Sequence, residues 1–116
     1  MMTSYFWHPD VQPGKRYAEF AVSIARWPPR SWRGLRDITL APPIALMNRA
    51  RAGEFRTAKA FEKEYRRLTL EMLDPFTVLE RHRAHILLCY EAEGPCHRRI
   101  VARWVERECG VTVNEL

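Results

Sequence analysis

The chain has 116 residues, of which 47% are hydrophobic and 28% are charged, a composition typical of one globular domain with a buried core. It contains no apolar run of membrane-spanning length and no secretory signal with a basic start and an apolar centre, so we expect a cytoplasmic protein without a membrane partner. The formal charge is +5, and nearly all basic residues are arginine, which favours an acidic partner such as a phosphate-bearing small molecule or nucleic acid.

Two strands are predicted in the first quarter of the chain. Residues 3–7 have strand-forming composition, and residues 20–25 form a second apolar run that is followed by Arg26. Pro28 and the proline after it cannot continue a strand ladder, so the second strand must end before them. Residues 30–40 are rich in arginine and tryptophan and predict an irregular loop.

Three helices are predicted in the middle of the chain. Pro42-Pro43 opens a short helix that ends near Gly53. Thr57 is a suitable N-cap for the longest helix. Its apolar side chains recur at helical spacing and should face the core: Ala58, Phe61, Tyr65, Leu68 and Met72. Asp74-Pro75 then starts another short helix, whose Phe76 should also point inward.

The last third of the chain contains the central strand and the last helix. Residues 86–91 are an apolar run of strand length, residues 91–95 favour a turn, and helical spacing extends from Cys96-His97-Arg98 to Gly110. Residues 111–113 predict a short terminal strand. Helices between strands favour crossover connections, so we predict a single α/β domain with a small, mostly parallel β-sheet of about four strands, flanked by helices in three layers.

Polar residues that follow the predicted strands indicate a binding site. In parallel sheets, ligands gather at the carboxyl ends of the strands, where Arg26 and Glu91 lie. Cys96-His97-Arg98 lies at the start of the last helix, where unpaired N–H groups and the helix dipole favour an anion and can lower a thiol pKa. The sequence therefore predicts an anion-binding or thiol-bearing site, and it does not identify a reaction.

Several segments together resemble a known family. They are Thr3-Ser4-Tyr5-Phe6, Ser23-Ile24-Ala25-Arg26 with Pro28, Leu40-Ala41-Pro42, Leu87-Leu88-Cys89-Tyr90-Glu91, Cys96-His97-Arg98, Trp104 and Val113-Asn114-Glu115. In these segments the chain resembles the uncharacterised bacterial and phage family named domain of unknown function 488, over nearly its whole length. The resemblance implies a small α/β domain whose site combines the two cysteine motifs with Arg26, and it implies no settled activity. Some members carry an acidic residue just before this arginine; here Ile24 and Ala25 precede it, which leaves Glu91 as the clearest acid.

The predicted site residues fall into two groups. The candidate catalytic residues are Glu91, Cys96 and His97, and the candidate ligand-binding residues are Arg26, Arg98 and Tyr5. Each of three residues also has a structural alternative. Cys96 can be a partly buried N-cap residue, His97 can hold a backbone group against the sheet, and Arg98 can form an internal ion pair with Glu91 or Glu115.

The cysteine pattern favours reduced thiols. Cys89, Cys96 and Cys109 do not form a close-spaced pair, although a disulfide between the first two remains an alternative. A zinc site that combines these two with His82, His85 or His97 lacks the paired spacing of structural zinc motifs, so we predict no metal site. No cofactor is identified, because the sequence has neither a dinucleotide-type glycine pattern nor a phosphate loop of the GK[ST] kind.

Two functions from different classes remain. The first is an enzyme that binds a phosphate-bearing small ligand, such as a nucleotide or a nucleic-acid component, at Cys96-His97-Arg98. The second is a non-catalytic module that binds nucleic acid or another protein through the arginine- and tryptophan-rich residues 26–36. An enzyme requires an open pocket that holds Arg26, Glu91 and Arg98. An interaction module requires that these groups pair with each other and that a broad basic face is exposed.

Overall fold

The computed structural model of the protein describes residues 1–90 and 96–116. A parallel β-sheet of five strands forms the centre of this described part, in the order β3-β2-β4-β1-β5. The strands are β1 (Met2–Tyr5), β2 (Ala21–Ser23), β3 (Leu35–Arg36), β4 (Ile86–Cys89) and β5 (Asn114–Glu115). The predicted α/β fold is confirmed. The additional strand is β3, a two-residue edge strand inside the segment that we predicted to be a loop. The terminal strand is β5, so its predicted position at residues 111–113 was wrong.

The described residues also form four α-helices, which are α1 (Ile44–Arg51), α2 (Ala58–Leu68), α3 (Pro75–Arg81) and α4 (His97–Cys109). Their ends follow the predicted signals. The Thr57 hydroxyl accepts a hydrogen bond from the backbone N–H of Ala60 at 3.1 Å, and the Asp74 carboxylate accepts one from the N–H of Phe76 at 2.9 Å. Gly110 ends α4 in the left-handed conformation, with φ of 69°.

The extent of α2 and the direction of two side chains were predicted wrongly. Among the described helices the longest is α4 with 13 residues, because α2 ends after 11 residues and a 3₁₀ turn follows. Met72 therefore leaves the apolar stripe of α2 and is 79% exposed. Phe76 is 61% exposed because Val78, two residues further along α3, occupies the buried side, and residues two apart on a helix point in roughly opposite directions.

Alternate residues of β4 face two separate layers of the core. Leu87 packs with the main cluster, to which each α-helix contributes a side chain: Leu46, Tyr65, Val78 and Val101. Ile86 and Leu88 face the opposite side, where Val11 from a 3₁₀ turn and Trp32 from a loop cover the sheet. The described α-helices thus pack on one face, and the third layer consists of 3₁₀ turns and loops.

The parallel strands end at one edge of the sheet. Tyr5 at the end of β1 pairs with Cys89 at the end of β4, and Ser23 at the end of β2 pairs with Leu88. Arg26 and the start of α4 follow at this same edge, as the sequence predicted. Among the described helices, none has the length and apolar content that crossing a membrane would require.

Candidate functional site

An open cleft of about 1060 Å³ lies at the carboxyl edge of the sheet. Its walls come from the chain after β2, the side of α1, the start of α2, the end of β4 and the first turns of α4. This volume is at the upper end of the range of small-molecule pockets, roughly 300–1,000 Å³. The fold therefore provides an opening next to the helix start that the sequence singled out.

The cleft brings together three of the six predicted site residues. Arg26, Cys96 and His97 line it. Arg98 and Tyr5 are not among the lining residues. Glu91 lies outside the described residues, so its predicted role stays a prediction.

Arg98 is fully buried on the other side of α4. Its Nε and Nη2 groups donate hydrogen bonds to the Glu115 carboxylate at 3.1 and 2.8 Å, and its Nη1 group donates to the Cys89 sulfur at 3.4 Å. The Thr3 hydroxyl also donates to Glu115. Burial alone would raise the pKa of Glu115, but the hydrogen bonds from Arg98 and Thr3 hold it below its ordinary value. Of the alternatives for Arg98, the structure contains the internal ion pair with Glu115.

Tyr5 lies at the end of β1, one strand away from the cleft. Its ring contacts His8 edge-on, with ring centroids 5.7 Å apart. The cleft is lined by the chain after β2, the end of β4 and the helices. Strand β1 lies on the far side of β4 from β2, so Tyr5 does not reach this lining. The predicted ligand-binding role of Tyr5 thus has no geometric support from the cleft.

His97 is the first residue of α4 and connects the cleft to β2. Its Nε2 atom lies 2.7 Å from the carbonyl oxygen of Ile24, and its ring contacts Tyr65 edge-on at 5.6 Å. Burial lowers the pKa of His97 to about 4, the hydrogen bond to Ile24 opposes this shift, and the charge of Arg98 adds to it. The ring is therefore neutral at pH 7, with its proton on Nε2 and a lone pair on Nδ1.

Cys89 and Cys96 lie at the end of β4 and immediately before α4. The structure joins their sulfur atoms as a disulfide, with the Cα atoms 7.1 Å apart. This pairing is the alternative to three reduced thiols that the sequence left open, and it forms because the end of β4 and the residue before α4 lie next to each other. Only in the reduced form does Cys96 have a thiolate that could act as a nucleophile. Cys109, at the far end of α4, is a free thiol.

The described lining of the cleft is strongly basic. It contains one carboxylate, which belongs to Glu62, and six cationic side chains. The cations are Arg26, Arg51, Arg56, Lys59, Arg99 and Arg103. Glu62 pairs with Arg103. Within residues 1–90 and 96–116, Arg26, Arg56 and Lys59 have no ion pair. The cleft thus has positive charge in excess of what the surrounding described carboxylates neutralise.

Aromatic side chains form part of the wall. Trp27 is 39% exposed, its carbonyl oxygen accepts a hydrogen bond from the Tyr90 hydroxyl, and the Arg51 guanidinium stacks 4.3 Å from its ring centroid. Phe55 and Phe61 line the same cleft and contact each other edge-on. A cleft with aromatic faces and excess positive charge suits a ligand that has both a flat ring and an anionic group.

The start of α2 contributes cations to the cleft that were not predicted from the sequence. Arg56 and Lys59 flank Thr57, so two cations lie beside the start of this helix. A cation at a helix start opposes the dipole unless an anion compensates, so a basic residue at this position is itself a signal of an anion site. Applied to every predicted helix start, it would have indicated both residues.

The arginine- and tryptophan-rich segment is partly used to hold the fold. Trp32 packs edge-on against Phe6 at 5.4 Å, and its indole N–H donates to the carbonyl oxygen of Leu35 at 3.1 Å. Arg33 donates to the carbonyl oxygen of Arg30 at 2.9 Å, although both side chains remain exposed. Trp32 is therefore not offered to a partner.

Comparison of the chain with family models, curated proteins and solved structures found no match. The resemblance to domain of unknown function 488 stays a prediction.

Proposed function

We propose that this protein binds a phosphate-bearing small ligand, such as a nucleotide or a nucleic-acid component, in the cleft at the start of α4. The observation that supports this proposal most is the charge of the lining, six cations against the carboxylate of Glu62 among the described residues. The starts of α2 and α4 both border the cleft, and helix starts favour anions. Arginine guanidinium groups match the geometry of phosphate oxygens.

The two kinds of lining suggest how such a ligand is held. The phosphate would lie near Arg26 and Arg99, at the start of α4, and a base or other flat ring would lie against Trp27. The mixed lining favours a small molecule over a long nucleic-acid strand, because the cationic side chains converge on one concave space. Arg98 would contribute by position, since its pairing with Glu115 holds the start of α4 on the sheet.

The protein would act as an enzyme through the residues at the start of α4 that line this cleft. His97 has a neutral ring whose Nδ1 can accept a proton, and the reduced form of Cys96 provides a thiol beside it. Glu91 remains the acid or base candidate from the sequence. The reaction class stays open. The resemblance to domain of unknown function 488 is compatible with this reading, and we keep the cytoplasm as the proposed location.

The proposal is tested by titrating the reduced protein with a nucleoside and with its 5′-mono- and triphosphate, using calorimetry and the tryptophan fluorescence, to which Trp27 in the cleft wall contributes. We expect the phosphorylated forms to bind at least about 10-fold more tightly than the nucleoside, which corresponds to about 1.4 kcal/mol. Arg26→Ala should weaken phosphate binding by a similar factor. Arg83→Ala is the matched control, because Arg83 is 74% exposed, pairs with Glu80 and does not line the cleft.

Equal binding of nucleoside and nucleotide, or an equal loss in both arginine variants, would contradict the proposal. A single-stranded oligonucleotide distinguishes the non-catalytic alternative. If it binds where mononucleotides do not, and if Arg30→Ala with Arg33→Ala removes that binding while Arg26→Ala retains it, the exposed loop is the binding surface.

A further inference from the structure

Three potential metal ligands lie close together in the described part of the chain: Cys89, Cys96 and His97. Their two sulfur atoms and one ring nitrogen all lie within 4.8 Å of one another. A set of two thiolates and one imidazole is typical of zinc, which binds both donor types in tetrahedral sites. The prediction of no metal site depends on spacing in the sequence alone, and these ligands come from a strand end and a helix start rather than from a close-spaced motif.

The backbone separation of the two cysteines also suits a metal ion. Their Cα atoms are 7.1 Å apart, whereas ordinary disulfides keep these atoms about 4.4–6.8 Å apart. A relaxed disulfide would require the end of β4 and the start of α4 to approach each other. An ion between the two sulfur atoms requires no such approach, and a reducing compartment keeps both thiols available.

Each of the three ligands has a neighbour that favours metal binding. The Nε2–H of His97 donates to the carbonyl oxygen of Ile24, which fixes the ring and leaves Nδ1 for the metal, as outer-shell carbonyls do in known metal sites. The Nη1 group of Arg98 donates to the Cys89 sulfur at 3.4 Å and stabilises its thiolate. The Cys96 sulfur lies at the start of α4, where the helix dipole stabilises its thiolate.

We propose that, in the reduced protein, Cys89, Cys96 and His97 bind one Zn²⁺ ion whose fourth coordination position opens into the cleft. All three residues line the cleft, and three protein ligands with one open position characterise zinc sites that bind a substrate or activate a water molecule. Binding releases the two thiol protons to solvent, so the affinity should fall at acidic pH. In this arrangement Cys96 and His97 are ligands rather than nucleophile and base. The inference does not depend on phosphate binding.

The test is a titration of the full-length protein, reduced and stripped of metal, with Co²⁺ as a spectroscopic probe and then with Zn²⁺. We expect one equivalent of Co²⁺ to give thiolate charge-transfer absorption and the visible bands of a tetrahedral site, and Zn²⁺ to displace them. His97→Ala should weaken Zn²⁺ binding by at least about 100-fold, because loss of an outer-shell partner alone costs 10–100-fold. This variant is preferred as the first test, since His97 is only partly buried.

Cys96→Ser should abolish the charge-transfer absorption, and Cys109→Ser is the matched control because this thiol lies at the far end of α4. The proposal is overturned if the reduced protein shows no tetrahedral cobalt spectrum, if His97→Ala binds Zn²⁺ as tightly as the unchanged protein, or if Cys109→Ser loses the site. It is also overturned if the cysteines remain disulfide-bonded under strong reductant. No phosphate ligand is used, so either proposal can fail while the other stands.

Discussion

Arg98 and Arg99 are neighbours in the first turn of α4, but one is buried and the other lines the cleft. Arg98 is fully buried and holds the Glu115 carboxylate through two of its nitrogen atoms. The Arg99 side chain is 35% exposed, lines the cleft and lies 3.8 Å from the same carboxylate. Because successive residues on a helix point about 100° apart, one helix start presents a cation to each of two separate regions.

The buried surroundings of Arg98, which we call the closed region and which include Thr3 and Glu115, differ from the cleft in how charge is balanced. On the closed side, the charge of Arg98 is matched by Glu115, and Thr3 satisfies a further carboxylate oxygen. On the cleft side, the described cations exceed the described carboxylates. A buried charge must be paired for the fold to exist, whereas a surplus of charge in an open cleft is compatible with stability and available to a ligand.

The largest expected effect comes from removing the carboxylate on the closed side. Glu115→Ala leaves the buried Arg98 guanidinium without its bidentate partner, and breaking a buried ion pair in this way costs about 3–5 kcal/mol. We expect a loss of about 3 kcal/mol in the free energy of unfolding, at the lower end of that range. The Glu115 side chain is 36% exposed, so water can partly replace its carboxylate as a partner of Arg98. Denaturant unfolding measures this loss.

Asn114→Ala is the matched control, since Asn114 is an exposed neighbour on the same short strand. Its effect should stay within about 0.5 kcal/mol. Equal losses in the two variants would mean that β5 as a whole, rather than the Arg98–Glu115 pair, holds the start of α4, and the distinction between the two regions would disappear.

A second, smaller effect should appear as a pH dependence from His97 on the cleft side. The pKa of this ring is lowered to about 4 in the folded protein, against about 6.5 in the unfolded chain. Above pH 6.5 both states are neutral. As the pH falls from 6.5 to 4, the unfolded chain takes up a proton and the folded protein does not, so stability decreases by about 2 kcal/mol after allowance for the partial exposure of the ring.

His97→Gln should remove this part of the pH dependence, measured as the difference between the variant and unchanged protein in denaturant unfolding at pH 7 and pH 4. His8→Gln is the control, because it removes another partly exposed histidine outside the cleft. The same dependence in both variants would show that burial of the His97 ring does not restrict its protonation.

Local signals in the sequence predicted much of the fold. The caps at Thr57, Asp74 and Gly110 depend on a few neighbouring residues, and the structure confirms all three. The edge strand β3 could not be predicted, because two exposed residues carry no periodicity and become a strand only through pairing with β2.

Part of the candidate site could likewise be predicted from local sequence signals, and part of it depends on tertiary packing. The rule that ligands gather at parallel strand ends correctly placed Arg26 on one cleft with Cys96 and His97. The partner of Arg98 depends on β5 pairing with β1, which joins opposite ends of the chain. The wall from α2 and the grouping of the two cysteines with His97 also arise from tertiary packing, and no short-range pattern encodes them.

The smallest expected change in stability is that of Arg99→Gln. The described ion pair of Arg99 joins partly exposed groups 3.8 Å apart, and exposed pairs contribute about 0–1 kcal/mol, so the loss of this pair should change the free energy of unfolding by less than about 0.5 kcal/mol. Its affinity for the phosphorylated ligand should nevertheless fall about 5–10-fold, because the cation would contact the phosphate. Arg107→Gln, on an exposed position near the other end of α4, should change neither quantity. A large loss of stability in Arg99→Gln, with unchanged affinity, would mean that Arg99 stabilises the fold together with Arg98. The proposed phosphate contact at the start of α4 would then be wrong.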